Sequence, residues 1–258
     1  MKYLAMIQAR CSSHRFPSKV LKDLYGKTVL ERVVERVQRA KLIDDVIVVT
    51  SLNKEDLEII NIMSNKGVRV FAGSLDDVLD RYYQAAKILM PEYIIRITAD
   101  CPVISPRIID EAISQIESKA DYLGMITETF PDGLDVEIIK YQALKTAWKN
   151  AKLKSEREHV TLYIKNHPDQ FYIQNFECTV GNLHDQRWTV DEPEDYKFIL
   201  KIYGHFLAEK KEYFDLSDIL EYLENNPNII QINQGFIRNE GLLISQKNDA
   251  VIVNEDLI

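Results

Sequence analysis

Cysteine is scarce in this chain: three among 258 residues, Cys11, Cys101 and Cys178, widely spaced and with no C-x-x-C pair. That gives no disulfide framework and no zinc-ligand spacing. Long apolar runs are missing too. No window approaches the ~18 apolar residues that span a bilayer, and Met1-Lys2-Tyr3-Leu4 enters an apolar stretch without a signal-peptide pattern. We therefore expect a cytoplasmic protein with no membrane association. Positive charge is in deficit, with 32 Lys and Arg against 40 Asp and Glu, a net charge of −8. A nucleic-acid partner is disfavoured, because a phosphate backbone requires a basic face, whereas a nucleotide needs only a local cationic pocket. Glycine is sparse, nine in all, and none precedes Gly26. Neither G-x-x-x-x-G-K-[ST] nor G-x-G-x-x-G occurs, and no G-x-S-x-G elbow supports a hydrolase triad.

What is present suits a large α/β unit. Apolar residues make up 46% of the chain, enough for a full core at this length. Leu4–Ala9 and Val46–Ser51 are continuous apolar runs of the kind found in parallel sheets. Between them Leu30, Val33, Val34 and Val37 recur at helical spacing. Leu57–Met63 predicts a second helix, Val68–Phe71 a short strand, Val78–Leu89 a third helix and Tyr93–Thr98 a strand leading to Asp100. This alternation predicts a doubly wound, mostly parallel open α/β sheet with right-handed crossovers. Ligands of such sheets bind beyond the carboxyl ends of the strands, where Arg10, Thr50 and Asp100 fall. After a strand over Asp121–Ile126 the elements shorten. Strands are predicted over Val136–Ile139, Phe171–Glu177 and Gln186–Val190, with a helical stretch near Glu156–Lys165. Pro193 suits the first turn of a further helix, and Leu216–Leu223 predicts another before an asparagine-rich tail.

The densest chemical signal is the loop after the first strand. Arg10, Arg15 and Lys19 follow its end at Ala9, with small polar Ser12 and Ser13 between them. Converging backbone N–H groups and cations at a strand end are a way to hold a polyphosphate. A solvated basic turn is the plain alternative, but three cations at this one strand end favour phosphate binding. Asp100 leaves a buried strand before Cys101-Pro102; it is either a turn residue or one of the one or two carboxylates that Mg²⁺ takes alongside substrate phosphates. Asp135 and Glu137 share one face of a strand because the period is two. Ser74 is predicted to cap the third helix with Asp77 in the reciprocal position, leaving Arg81 as either a nucleotide contact or an i, i+4 partner of Asp77. Ser155 is the expected cap of the helix near Glu156–Lys165.

Taken in order, these segments resemble the cytidylyltransferases that make CMP-activated acidic sugars. The spore-coat polysaccharide type is nearest, with the CMP-Kdo and CMP-sialate synthetases more distant. The resemblance is carried by Ile7-Gln8-Ala9-Arg10-x-x-Ser13-x-Arg15-Phe16-Pro17-x-Lys19-x-Leu21, by Arg96-x-x-x-Asp100-x-Pro102, by Phe130-Pro131-Asp132-Gly133-Leu134-Asp135-Val136-Glu137, by Arg157-Glu158-His159-Val160-Thr161 and by Val190-Asp191-Glu192-Pro193-Glu194-Asp195. Ser12 and Ser18 depart from the spore-coat pattern, which usually has glycine at both places.

The resemblance implies that Arg10, Arg15 and Lys19 are catalytic and stabilise a leaving pyrophosphate. Ala9, Arg10, Ser12, Ser13, Arg15, Lys19, Thr50, Ser51, Ser74, Arg81 and Thr98 would contact CTP. Asp100 and Asp191 would hold Mg²⁺, and Asp132, Asp135, Glu137, Arg157 and His159 would meet the acceptor. The implied reaction moves a cytidylyl group from CTP to an acidic sugar or small phosphorylated acceptor, for surface polysaccharide or glycoconjugate biosynthesis. It also implies a homodimer, with a cytidylyltransferase domain over 1–214, a substrate and dimerisation subdomain at about 128–180, and a C-terminal extension over 215–258. Two rivals stay open. A nucleotide-sugar glycosyltransferase normally shows an Asp-x-Asp, which Asp100-Cys101-Pro102 lacks; a non-catalytic nucleotide-binding module has no use for Lys19, Asp100 and Asp191 together.

Overall fold

A computed structural model describes residues 1–13 and 15–252. Strands β1 (Tyr3–Gln8), β2 (Asp45–Ser51), β3 (Arg69–Gly73) and β4 (Tyr93–Thr98) form at the predicted apolar runs. With β5 (Tyr122–Gly124), β6 (Glu137–Lys140) and β7 (Ile173–Asn175) they make one sheet in the order β3-β2-β1-β4-β6-β5-β7. β1 lies parallel to β2 and β4, while β6 runs antiparallel to β4 and β5. The expected doubly wound, mostly parallel α/β sheet is present. Strand order reverses between β1 and β4, and that reversal opens a crevice at their carboxyl ends.

Alternation along the strands builds two apolar layers. Ala5, Ile7, Val46, Val48 and Ile95 pack on α1 (Val29–Val37), α2 (Leu57–Asn65), α4 (Pro106–Gln115), α8 (Pro193–Ala208) and α9 (Leu216–Asn225). Leu4, Met6, Ile47, Val49 and Ile94 face the other way, onto α3 (Val78–Leu89), α5 (Tyr141–Asn150) and α7 (Leu162–Asn166). Residues 128–180 thus contribute strands to the same sheet, and Ile219 and Leu223 of α9 enter the same core. A short helix α6 (Lys154–Glu158) precedes α7, and α10 (Glu240–Lys247) lies near the end of the described chain.

Three local expectations are corrected. Gln186–Val190 is not a strand. Trp188 and Val190 are buried, which produces the strand-like alternation, but the backbone bonds loops instead: Asp132 N–H donates to Gln186 O at 2.9 Å and Val190 N–H to Asp100 O at 2.8 Å. Gly133, at φ 104°, makes this contact possible, since a Cβ there would sit 2.6 Å from the Thr189 nitrogen. Asp77 rather than Ser74 caps α3, accepting from Asp80 N–H at 2.8 Å, while the Ser74 hydroxyl accepts from Asp77 N–H at 3.0 Å. Ser155 lies within α6 rather than capping it, and its hydroxyl donates to Asp249 at 2.6 Å.

Arg36 on α1 is 4% exposed and donates to three backbone carbonyls, of Val103, Ile104 and Phe214. It joins α1 to the segment after β4 and to the turn before α9. Arg36→Ala strands these carbonyls, and we expect a loss of roughly 2–4 kcal/mol in urea unfolding. A loss below about 0.5 kcal/mol would contradict this role.

Candidate active site

The loop after β1 is pinned to β2 by a carboxylate that the sequence reading passed over. Asp56, 1% exposed, accepts from Cys11 N–H at 2.7 Å and from the Ser51 hydroxyl at 2.5 Å. The Ser51 hydroxyl is thereby engaged by Asp56. Further along, Ser18 takes the left-handed conformation at φ 54°, the turn for which glycine is otherwise favoured. A single 3-10 turn over Lys19–Leu21 follows. It delivers Lys19 to the crevice.

There the Lys19 ammonium donates to Asp100 at 2.7 Å and to Asp191 at 2.5 Å. Asp100 comes from just beyond β4 and Asp191 from just before α8, so one cation joins three loops. Arg15 pairs with the other oxygen of Asp191 at 3.0 Å. Burial works against each charge, yet Lys19 holds the Asp100 carboxyl down at about 2, and the two carboxylates raise the Lys19 ammonium. The start of α8 is held by a capping box of Glu192 and Asp195; Asp195 accepts from Asp191 and Glu192 N–H at 3.0 and 2.9 Å and pairs with Arg187. Asp191 is thereby left to face the crevice.

Beyond this pair lies a cavity of about 300 Å³, bordered by Arg15, Asp100, Asp132, Asp135, His159 and Arg238. Glu137 closes its floor in a saturated network: Arg96, Lys165 at 2.8 Å, the Tyr122 hydroxyl at 2.5 Å and the Thr161 hydroxyl at 2.8 Å. Burial opposes ionisation of Glu137, but Lys165 and Arg96 hold it well below the usual carboxylate range. Glu137 thus orders the cavity floor. Asp132 behaves oppositely. Its burial and the neighbouring Asp135 push it up to about 7, against the pull of Arg187 at 2.9 Å. His159 borders the cavity with Nε2 buried, 4.0 Å from Glu158 and without a hydrogen-bond partner among the described residues, and burial lowers its pKa. Arg157 lies apart from this cavity. Its guanidinium binds Asp77 and the Trp148 carbonyl, lining a separate cavity of about 610 Å³.

On the β1–β2 side, the Ser12 and Thr50 hydroxyls and Arg81 Nη1 are buried without partners among the described residues. The rest of Arg81 donates to the Ser74 and Leu75 carbonyls at 2.9 and 3.0 Å, shaping that loop rather than pairing with Asp77. Ser74 supports the same turn. Ala9 is buried in the backbone ladder, Ser13 accepts from Phe16 N–H at 3.4 Å, and Thr98 shares a contact with the Cys101 thiol at 3.2 Å. Arg10 pairs with Glu158 at 3.6 Å. Arg96, Lys165, Arg187 and Arg238 are site residues that the sequence reading did not single out; only Arg96 stood inside a quoted motif.

A sequence model of the family described as cytidylyltransferase matches residues 4–234. The chain belongs to the cytidylyltransferase family. It is 38% identical over 235 residues to an uncharacterized protein of Methanocaldococcus jannaschii, covering 90% of this chain and 95% of that one. It is 33% identical over 237 residues to the spore coat polysaccharide biosynthesis protein SpsF of Bacillus subtilis, covering 87% and 95%. A solved cytidylyltransferase from Leptospira borgpetersenii superposes with a TM-score of 0.85 at 31% identity, covering 92% of this chain and all of that one. This cytidylyltransferase is therefore a nucleotidyltransferase enzyme. Among its described residues no helix is long and apolar enough to cross a membrane, and no cluster of three or more His, Cys, Asp or Glu converges on one point.

Asp132 gives a pH test of the cavity. A carboxyl raised above its unfolded value of ~3.9 contributes stability at low pH that is lost as pH climbs toward 7. Asp132→Asn should match the wild type near pH 4 and exceed it by about 1 kcal/mol or more at pH 8, read from urea midpoints. A gap independent of pH would contradict the raised carboxyl.

Proposed function

We propose that this cytidylyltransferase uses CTP and Mg²⁺ to place a cytidylyl group on an acidic sugar or small phosphorylated acceptor, for surface polysaccharide or glycoconjugate biosynthesis. One observation carries the reading. Lys19 bridges Asp100 and Asp191 at the boundary between a cationic loop and a cavity. Nucleotidyl transfer needs this adjacency: phosphates on one side, an attacking oxygen on the other, and opposite charge between them.

Two facing carboxylates whose remaining ligands come from phosphates and water are a donor set that Mg²⁺ accepts. When bound, the metal neutralises charge that builds on the phosphate oxygens as the bond to pyrophosphate breaks. The residues of the chain do the rest. Arg10 and Arg15 bind the triphosphate, Arg15 as a bidentate fork. Lys19, displaced from its carboxylates, stabilises the departing pyrophosphate. The orphaned Ser12 and Thr50 hydroxyls offer hydrogen bonds to the nucleoside end, near the carboxyl ends of β1 and β2. Asp132, Asp135 and His159 orient the acceptor, whose oxygen attacks the α-phosphorus in line.

Pyrophosphate release on mixing with CTP, Mg²⁺ and a panel of acidic sugars and phosphorylated acceptors tests the reading. Asp100→Asn and Asp191→Asn should each abolish it without unfolding the chain. Lys19→Ala should lower kcat by roughly 10²-fold, more than it weakens CTP binding. Near-normal turnover in any of the three would contradict the assignment. Nucleotide choice is a separate test: CTP should raise the melting temperature more than ATP or GTP at equal concentration. Equal shifts would point to a general phosphate site.

A further inference from the structure

Residues 235–252 lie past the span that the family match covers, which ends at residue 234, yet they reach the active site. The chain turns at Gly235, φ 94°, and enters the acceptor cavity with Arg238. That guanidinium donates to the Phe130 carbonyl and to Asp135, both at 2.9 Å, on the acceptor side. Helix α10 follows with no buried residue, and Leu243 and Ile244 are each 53% exposed. A helix this short without core burial opens at little cost unless its ends are held.

The end of this segment is held by backbone bonds from Lys154 N–H to Ala250 O at 2.9 Å and from Ile252 N–H to Lys152 O at 2.7 Å, while side-chain attachments before it lead to site elements. Glu240 pairs with Arg15 at 2.9 Å, and Asn239 donates to Glu128 at 2.9 Å. Ser245 donates to Glu158 at 2.9 Å, the carboxylate that also pairs with Arg10. Asp249 accepts the Ser155 hydroxyl on α6. Carboxylates tied to this segment therefore sit on two of the three cations of the phosphate loop. A triphosphate seeks the same guanidiniums and repels Glu240.

We propose that residues 235–252 form a strap that walls the acceptor cavity with Arg238 and that the triphosphate releases from Arg15 by displacing Glu240, so that nucleotide binding opens the cavity to the acceptor. The inference rests on the cytidylyl-transfer reading above. Its consequence is an order of events, with the nucleotide arriving before the acceptor.

Calorimetry on the full chain, without acceptor, tests it with inorganic pyrophosphate and CTP as probes. Glu240→Gln, with an unchanged melting temperature, should bind pyrophosphate about two- to fivefold more tightly, as expected for removal of one partly exposed competing ion pair. In the wild type, CTP should speed amide hydrogen exchange across 240–247. Equal pyrophosphate affinities for wild type and Glu240→Gln, or exchange that CTP leaves unchanged or slows, would overturn the strap while leaving nucleotide binding intact. A wild type that binds neither CTP nor pyrophosphate would instead overturn the cytidylyl-transfer reading on which the strap depends.

Discussion

The ammonium of Lys19 lies between two carboxylates brought from far apart in the chain, and the active-site edge of the sheet is organised around that contact. Asp100 and Asp191 point into one crevice, where mutual repulsion would push them apart if nothing intervened. Lys19 supplies the missing charge and in doing so fixes the phosphate loop, the exit of β4 and the entry to α8 relative to one another. The left-handed turn at Ser18 and the Asp56 anchor on Cys11 then become conditions for Lys19 to arrive at the right depth. Under the proposed mechanism a lysine suits this place, because a point charge on a flexible stem would leave as a divalent cation and phosphates arrive. Arginine, with its rigid fork, would not exchange as readily.

The acceptor half of the site follows a different electrostatic rule. Its carboxylates are partly paired: Glu137 with Arg96 and Lys165, Asp135 with Arg238, and Asp132 with an Arg187 that also serves Asp195. Among the groups that line it, His159 Nε2 keeps hydrogen-bonding capacity. Glu137 is therefore better seen as the keystone of the floor than as a substrate contact, whereas Asp132, with its proton affinity near neutrality, retains chemical options.

The first four strands and the three helices between them were legible because their apolar residues recur at a clean period, and the switch-point rule then placed Arg10, Thr50 and Asp100 at the carboxyl ends of the strands. The Gln186–Val190 segment misled because burial of Trp188 and Val190 imitates a strand while the hydrogen bonds go to loops. Pairings across long stretches of sequence left no local trace. Asp56 reaches back to Cys11, Arg157 to Asp77 and Glu240 to Arg15, and each looks like an ordinary surface charge when read along the chain. Ser51 and Arg157 are of residue types suited to a ligand, but in the structure each is held by a carboxylate, Asp56 and Asp77 respectively.

The most direct measurement is a crystal structure of the chain with CTP and Mg²⁺ bound. The account predicts the triphosphate along residues 10–19, Arg10, Arg15 and Lys19 on its oxygens, and the metal between Asp100 and Asp191 in place of the Lys19 ammonium. Nucleotide in the separate cavity beside Trp148 and Asp77, or a Lys19 still seated between the two carboxylates, would contradict it.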